Sequence, residues 1–194
     1  KMLNDIFKNP ILNCKVSNTE AALEVYEEMR KKNESRKVSN RGGYQSPLLL
    51  REEREKIFTA EVMKDILEEA INVYGWKKPV NFNIDGAWFN ANESGDYNIS
   101  HRHSKSHFSF VWYLKVPDSS SGQLILEHPD SALIMTGLFD LERNNKNHYN
   151  SELMQITPSE GLMVMFPASL KHRVERYEGQ AARVSLAFNG SFKQ

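Results

Sequence analysis

His101-Arg102-His103-Ser104-Lys105-Ser106-His107-Phe108-Ser109-Phe110-Val111-Trp112-Tyr113-Leu114-Lys115-Val116 places two imidazoles two residues apart, then a run rich in aromatic and β-branched residues. By composition the run from Phe108 is a strand. On an extended chain residues two apart point to the same side, so His101 and His103 can be offered to one point in space. That is a metal-ligand arrangement. Neutral imidazole suits iron, copper, nickel and zinc, and a third ligand from a distant strand would close one face of an octahedron and leave the other open for chemistry.

Outward from this stretch the same grammar recurs. Similar short runs lie near 80–90, 97–103, 108–116, 123–127, 152–156, 161–166, 172–177 and 181–189. They are separated by Asn92-Glu93-Ser94-Gly95-Asp96, Pro117-Asp118-Ser119-Ser120-Ser121-Gly122, Thr157-Pro158-Ser159-Glu160-Gly161 and Tyr177-Glu178-Gly179-Gln180, which is turn chemistry. This spacing suits an antiparallel sheet system.

Upstream the period becomes helical. Ser17-Asn18-Thr19-Glu20 has capping-box spacing, and Ala22, Val25, Tyr26 and Met29 follow at helical intervals up to Lys32. A second helix is expected over about Thr59 to Tyr74, with Val62, Ile66, Ala70 and Val73 on one face and Gly75 as terminator. Ile6-Phe7 and Pro10-Ile11-Leu12 read as a strand or an edge-packing arm, limited to an edge by Pro10. The expected architecture is one α+β domain, a helical scaffold over about 1–78 and a jelly-roll core over about 79–194. The interval 33–47, with Asn40-Arg41-Gly42-Gly43-Tyr44-Gln45-Ser46, and the polar interval 128–151 are candidate pocket-lining loops.

Composition narrows the classes of function. In 194 residues, Lys plus Arg and Asp plus Glu both number 25, and no block of like charge argues for nucleic acid or an anionic membrane. An anion recognised here must be recognised locally. Cys14 is the only cysteine, and no stretch has the length and apolarity of a signal peptide or membrane helix. A reducing cytoplasm is the expected compartment.

The second half supplies what the first lacks. In Gly161-Leu162-Met163-Val164-Met165-Phe166-Pro167-Ala168-Ser169-Leu170-Lys171-His172-Arg173-Val174 an apolar strand runs into a turn, and His172 begins the next strand. Farther on, Arg183-Val184-Ser185-Leu186-Ala187-Phe188-Asn189 alternates and carries Arg183 and Ser185 on one side. A guanidinium and a hydroxyl on one inward face form a carboxylate clamp. A buried arginine needs an anion, so either a ligand or a side chain such as Glu127 must meet it. Trp88, Phe110, Trp112 and Leu126 are candidates for the surrounding walls. His128 and His148 sit in turn or loop contexts and His107 precedes a strand, and all three are read as surface or structural.

This order of motifs resembles a known family. His-x-His, a Tyr-Leu strand, Gly-Leu-(apolar)-Phe-Pro-x-x-Leu-x-His-x-Val and Arg-x-Ser-(apolar)-x-(apolar)-Asn, strongest across Asn81 to Asn189, look like the Fe(II)- and 2-oxoglutarate-dependent oxygenases related to the prolyl hydroxylases. The resemblance implies a double-stranded β-helix in which His101, His103 and His172 are the iron ligands. It implies that Arg183 binds the 5-carboxylate of 2-oxoglutarate, with Ser185 beside it and Tyr113 joining the clamp. Iron(II), 2-oxoglutarate and O2 are the implied cofactors, and succinate and CO2 the implied products of a hydroxylation. The chain departs from the superfamily at His103, where a carboxylate is usual, which leaves Asp96 or a water as the alternative third ligand. Three neutral imidazoles would leave iron doubly charged, and a dianionic co-substrate would neutralise it.

Two other readings stand beside this one: a cupin-like three-histidine metalloenzyme that does not use 2-oxoglutarate, and a non-catalytic jelly-roll binding or virion module. The oxidised substrate, a protein residue or a metabolite, is not written in these motifs. Ligation by imidazole requires the neutral ring, so metal affinity is expected to fall as pH drops through about 6 to 6.5.

Overall fold

The computed structural model of this chain describes residues 9–77, 81–130, 134–137, 140, 142, 145, 147 and 150–193. Its N-terminal part is helical. α1 (Glu20–Lys32) buries Ala22, Val25, Tyr26 and Met29, the face its spacing anticipates. The expected capping box at Ser17 does not begin it. Thr19 is the N-cap, with φ −100° and ψ −5° and no side-chain cap bond, because a capping hydroxyl needs the extended backbone that Thr19 lacks. α2 (Arg51–Ile57) was not anticipated, since its charged residues bury only Ile57 and show no apolar period. α3 (Ala60–Tyr74) starts where Thr59 Oγ1 accepts from the Val62 N–H at 3.3 Å and ends on Gly75 at φ 64°. Val62, Ile66 and Ala70 are buried as expected, with Met63, but Val73 on the last turn is 47% exposed.

The strands form two antiparallel sheets. One orders β1 (Leu12–Lys15), β9 (Leu162–Pro167), β6 (Phe108–Lys115), β11 (Arg183–Lys193), β4 (Asn81–Asn92) and β3 (Tyr44–Gln45). The other orders β2 (Asn40–Arg41), β5 (Tyr97–His101), β10 (His172–Val174), β7 (Leu124–Glu127) and β8 (Leu153–Ile156). β4 to β11 are the runs expected from composition, the last of them starting two residues later and ending four residues later than expected, whereas β2 and β3 were not anticipated. β1 pairs along the edge with β9, Leu12 opposite Met165, just after Pro10. The expected arm at Ile6-Phe7 lies outside the described residues.

The six-stranded sheet is buried on both faces. Phe89, Trp112, Leu114, Met163, Met165, Leu186 and Phe188 share one apolar cluster with Ala22, Tyr26, Met29, Ile66 and Ala70 of the helices. Val164 and Phe166, on the alternate positions, pack with Leu124, Leu126 and Leu170 between the sheets. Burying each large side chain contributes about 1.5–3 kcal/mol. This layering holds the inner face of the sheet rigid while leaving its polar positions to line a cavity.

The interval 33–47 is more ordered than its sequence suggested. β2 joins the edge of one sheet through β5, and β3 joins the edge of the other through β4, so this segment straps the two sheets together. Gly42 (φ 74°) and Gly43 (φ 64°) make the turn; a Cβ on Gly42 would run into the Asp96 carboxylate and one on Gly43 into the Ala91 carbonyl. Within the interval 128–151, residues 131–133, 138, 139, 141, 143, 144, 146, 148 and 149 lie outside the described residues, His148 among them.

Candidate active site

His101 ends β5, His172 opens β10, and the two are direct partners across the ladder. Strict alternation from Asn98 would turn His101 the other way, because the two are an odd number of residues apart. The ladder shifts register here: His172 opposes His101 but Val174 opposes Asn98, so Ile99 and Ser100 both stand against Arg173. Such a bulge re-aims side chains. Asn98, His101, His172 and Val174 consequently line one cavity, whereas Ile99 and Ser100 are exposed. His103 follows two residues beyond the strand and is tied by its N–H to the Ala168 carbonyl at 2.8 Å.

The three rings converge. Centroids of His101 and His172 are 4.3 Å apart, of His101 and His103 5.1 Å, and of His103 and His172 5.4 Å. Their ligating nitrogens all lie within 4.8 Å of one another, the one such group among the described residues. Asp96 is elsewhere, accepting the Glu93 N–H at 2.7 Å in the β4–β5 turn, so it does not complete a triad. His101 Nδ1 lies 2.8 Å from the Ile99 carbonyl and His172 Nδ1 2.9 Å from that of Leu170. A carbonyl only accepts, so in each ring Nδ1 carries the proton and Nε2 keeps a free lone pair.

All three imidazoles are held neutral. Burial is the largest cause in each case. It lowers His101, takes His103 to about 4 with help from His101, and takes His172 to about 3, again with His101 contributing. This displaces the pH window expected from unperturbed histidines. An unfolded histidine titrates near 6.5, so below that pH the unfolded chain gains protons the folded chain refuses. Stability from the neutral rings is complete above about 6.5 and is lost as pH falls toward the folded values. Metal binding by the folded protein is therefore expected to persist at pH 6 and to fail only below about pH 5, where protons begin to compete for buried rings. A Mn(II) titration from pH 8 to 4.5 checks this; loss of affinity already complete at pH 6 would contradict it.

Across the cavity, Arg183 is only 1% exposed. Its Nη1 donates to the Gly122 carbonyl and its Nη2 to Asn92 Oδ1 at 2.9 Å, and Tyr113 and Tyr177 flank it with ring centroids 5.8 Å and 5.3 Å from Cζ. None of these neighbours is an anion. Glu127, expected as a possible partner, accepts instead from Arg173 Nη1 at 3.2 Å, because Leu126 takes the inward position and Glu127 the outward one. Arg183 Nε and the Tyr113 hydroxyl are buried with no partner. Burial raises the Tyr113 phenol, so it keeps its proton and can donate.

All six residues singled out from sequence, His101, His103, His172, Tyr113, Arg183 and Ser185, line this one cavity. Ser185 stands opposite Asn90 on β4 and opposite Tyr113 on β6. Of the candidate wall residues Trp88 and Phe110 line it, whereas Trp112 packs toward the helices and Leu126 between the sheets. Asn92, Gly122 and Tyr177 were missed. Their signal was weak, since each sits in or beside a turn and only the ladder brings it to Arg183.

Residues 86–189, more than half of the 194, match the family described as "Putative 2OG-Fe(II) oxygenase". The chain belongs to that oxygenase family. Solved structures share its fold at low identity. An oxidoreductase of the 2OG-Fe(II) oxygenase family from Burkholderia pseudomallei is 11% identical with a TM-score of 0.61, over 93% of this chain and 85% of that one. A prolyl-4-hydroxylase from Pseudomonas putida is 16% identical with a TM-score of 0.57, over 94% and 93%. A viral collagen prolyl hydroxylase from Paramecium Bursaria Chlorella virus-1, solved with 2OG, is 13% identical with a TM-score of 0.54, over 93% and 94%. No curated protein matches the sequence. The two-sheet core is thus the jelly roll of this oxygenase fold, with few helices.

Iron(II) and 2-oxoglutarate, the cofactor and co-substrate of the family, suit the residues present. Three neutral nitrogen donors fit a divalent iron, and the unpartnered Arg183 Nε and Tyr113 hydroxyl are donors waiting for an acceptor-only group, which a carboxylate is. Gly122 makes room for the guanidinium: at φ 69°, a Cβ there would lie 2.5 Å from Arg183 Nη1. In the oxygenase, Gly122→Ala is expected to weaken 2-oxoglutarate binding at least about 10-fold by displacing the guanidinium, with a strain of roughly 1–3 kcal/mol on stability. Anaerobic calorimetry with a thermal melt measures both.

Proposed function

We propose that this chain is a single-domain Fe(II)- and 2-oxoglutarate-dependent hydroxylase in which His101, His103 and His172 hold the metal. In this reading Arg183, Tyr113 and Ser185 bind the far carboxylate of 2-oxoglutarate. The observation that carries it is one cavity holding three convergent neutral imidazoles and, beyond them, a buried arginine with no anion. When bound, iron and 2-oxoglutarate supply the activation of O2, with succinate and CO2 as products. The protein's own share is positioning and exclusion of water. The Ile99 and Leu170 carbonyls fix two rings with Nε2 free to ligate, the guanidinium fork would hold the co-substrate's far end, and Leu124, Phe166 and Val174 supply apolar wall to an otherwise polar cavity.

With three neutral ligands the dianionic co-substrate balances the metal charge that a protein carboxylate would otherwise share. That makes His103 compatible with 2-oxoglutarate. The hydroxylase assignment leans on the fold shared with two prolyl hydroxylases, and the substrate class it leaves is a protein residue or a metabolite. No helix among the described residues is long and apolar enough to cross a membrane. The lone, unpaired Cys14 suits a reducing compartment, and we assign the cytoplasm on that basis. Aerobic incubation with ferrous iron and 2-oxoglutarate is expected to yield succinate even without substrate. An anaerobic titration in which the purified protein binds neither iron nor 2-oxoglutarate would end this reading, and turnover that proceeds without 2-oxoglutarate would replace it with a cupin-like one.

A further inference from the structure

The cavity is longer than the co-substrate needs. Along β11 its lining positions are Arg183, Ser185, Ala187 and Asn189, so it follows about 20 Å of strand, far more than a five-carbon diacid covers. The histidines lie part-way. Ala187 stands opposite Trp88 on β4 and Val111 on β6, and the Trp88 ring is 5.7 Å from that of His103. Asn189 lies roughly 6.7 Å of strand beyond that level, on the side away from Arg183, opposite Gly86 and Ser109. The chemistry of this far layer is restricted. Trp88, Val111, Ala187, Ser109 and Asn189 carry no charge. Ser109 is only 3% exposed, so its hydroxyl proton needs an acceptor within the protein, and Asn189 Oδ1 accepts it at 2.8 Å. That bond fixes which way the amide faces. With Oδ1 engaged, Nδ2 is the group left over, and it has no partner among the described residues.

We propose that Asn189 recognises the primary substrate through an uncharged carbonyl, its Nδ2 donating to the carbonyl oxygen of an amide or ketone held one layer beyond the histidines; this rests on the function proposed above. The layer offers a donor, and a carbonyl accepts without asking for anything in return. A hydroxyl or an amine would bring a proton of its own to a layer whose amide oxygen is already engaged, and leaving that proton unmet costs binding. A carboxylate or ammonium would lose its hydration with no counter-ion to replace it. The group next to the oxidised carbon is therefore neutral, which sets the substrate apart from the dianion held at the other end of the same cavity.

Binding to the protein loaded with Mn(II) and 2-oxoglutarate tests this, read as broadening of each probe's methyl proton signal by the paramagnetic ion. The probes are of one size: acetamide and acetone carry the carbonyl, 2-propanol a hydroxyl and isopropylammonium a charge. The two carbonyl compounds are expected to bind about 3- to 10-fold more tightly than 2-propanol and at least about 10-fold more tightly than the ammonium. Asn189→Ala should erase the preference over 2-propanol. Asn189→Asp, equal in size and still able to accept from Ser109, should reverse the ranking in favour of isopropylammonium. N-acetylglycinamide binding more tightly than acetamide would name a peptide as the source of the carbonyl, and the opposite order a small metabolite. A parent protein that loads metal and 2-oxoglutarate yet takes up none of the probes, or takes 2-propanol or the ammonium as tightly as acetamide, overturns the proposal and leaves the function intact. So does a carbonyl preference that survives in Asn189→Ala. A parent protein that loads neither metal nor 2-oxoglutarate overturns both.

Discussion

His172→Ala is expected to bind ferrous iron at least about 100-fold more weakly than the parent protein, since even the partners of metal ligands are worth about 10- to 100-fold. His172 is 5% exposed, the most deeply buried of the three, and its ring contacts Phe166 as well as both other imidazoles. Removing it leaves two donors on one edge of the site. A second signature separates lost ligation from lost folding. Folded His172 titrates at about 3, so its neutral form contributes stability that disappears as pH falls from about 6.5. Without it the acid limb of the stability profile should flatten while the neutral plateau drops by the small cavity term. Chemical denaturation between pH 8 and 4, set beside an anaerobic iron titration, reads both. Iron affinity within a few-fold of the parent would remove His172 from the metal site.

Arg183→Met should weaken 2-oxoglutarate binding by about 2–5 kcal/mol, the cost of losing a buried charge-assisted pair, or roughly 1.5 to 3.5 orders of magnitude. The change keeps volume and removes a cation whose protein partners, Gly122 and Asn92, are neutral. Burial pulls the guanidinium pKa below its ordinary value, which marks the charge as costly to keep there. Replacing a buried charge by an apolar side chain is often neutral or stabilising, so the variant should fold at least as well as the parent. Ligand linkage then gives a clean contrast. 2-Oxoglutarate with Mn(II) should raise the melting temperature of the parent protein and leave that of Arg183→Met unchanged. Arg183→Lys should sit close to Met, since an ammonium cannot reproduce the fork that reaches Gly122, Asn92 and a carboxylate together. A melting shift preserved in Arg183→Met would place the carboxylate elsewhere.

The candidate site was largely legible because its residues announce their chemistry where they stand. A histidine pair before an apolar strand, a histidine after Phe166-Pro167 and an arginine opening an alternating strand each restrict what a buried position can be for. Helix α3 was legible for the same reason, with Thr59 and Gly75 at its ends and Ile66 on its buried face. Helix α2 was not, since Arg51 to Ile57 gains its order from tertiary neighbours and has no apolar period of its own. The short strands at Asn40 and Tyr44 also escaped, because two-residue strands leave no period to detect.

By itself the sequence determined the β-rich core after two amphipathic helices, the three imidazoles and the arginine, since hydrophobic period and side-chain chemistry are local properties. Tertiary structure alone decided which way those groups face. The alternation rule offered His101 and His103 as one strand face, but a register shift at Ile99 and Ser100 is what brings His101 in beside Asn98 and opposite His172. It also decided that Glu127 turns outward to Arg173, leaving Arg183 among neutral partners. Such choices depend on pairing between strands far apart in the chain, and a one-residue slip in that pairing inverts a face without changing a letter of the sequence.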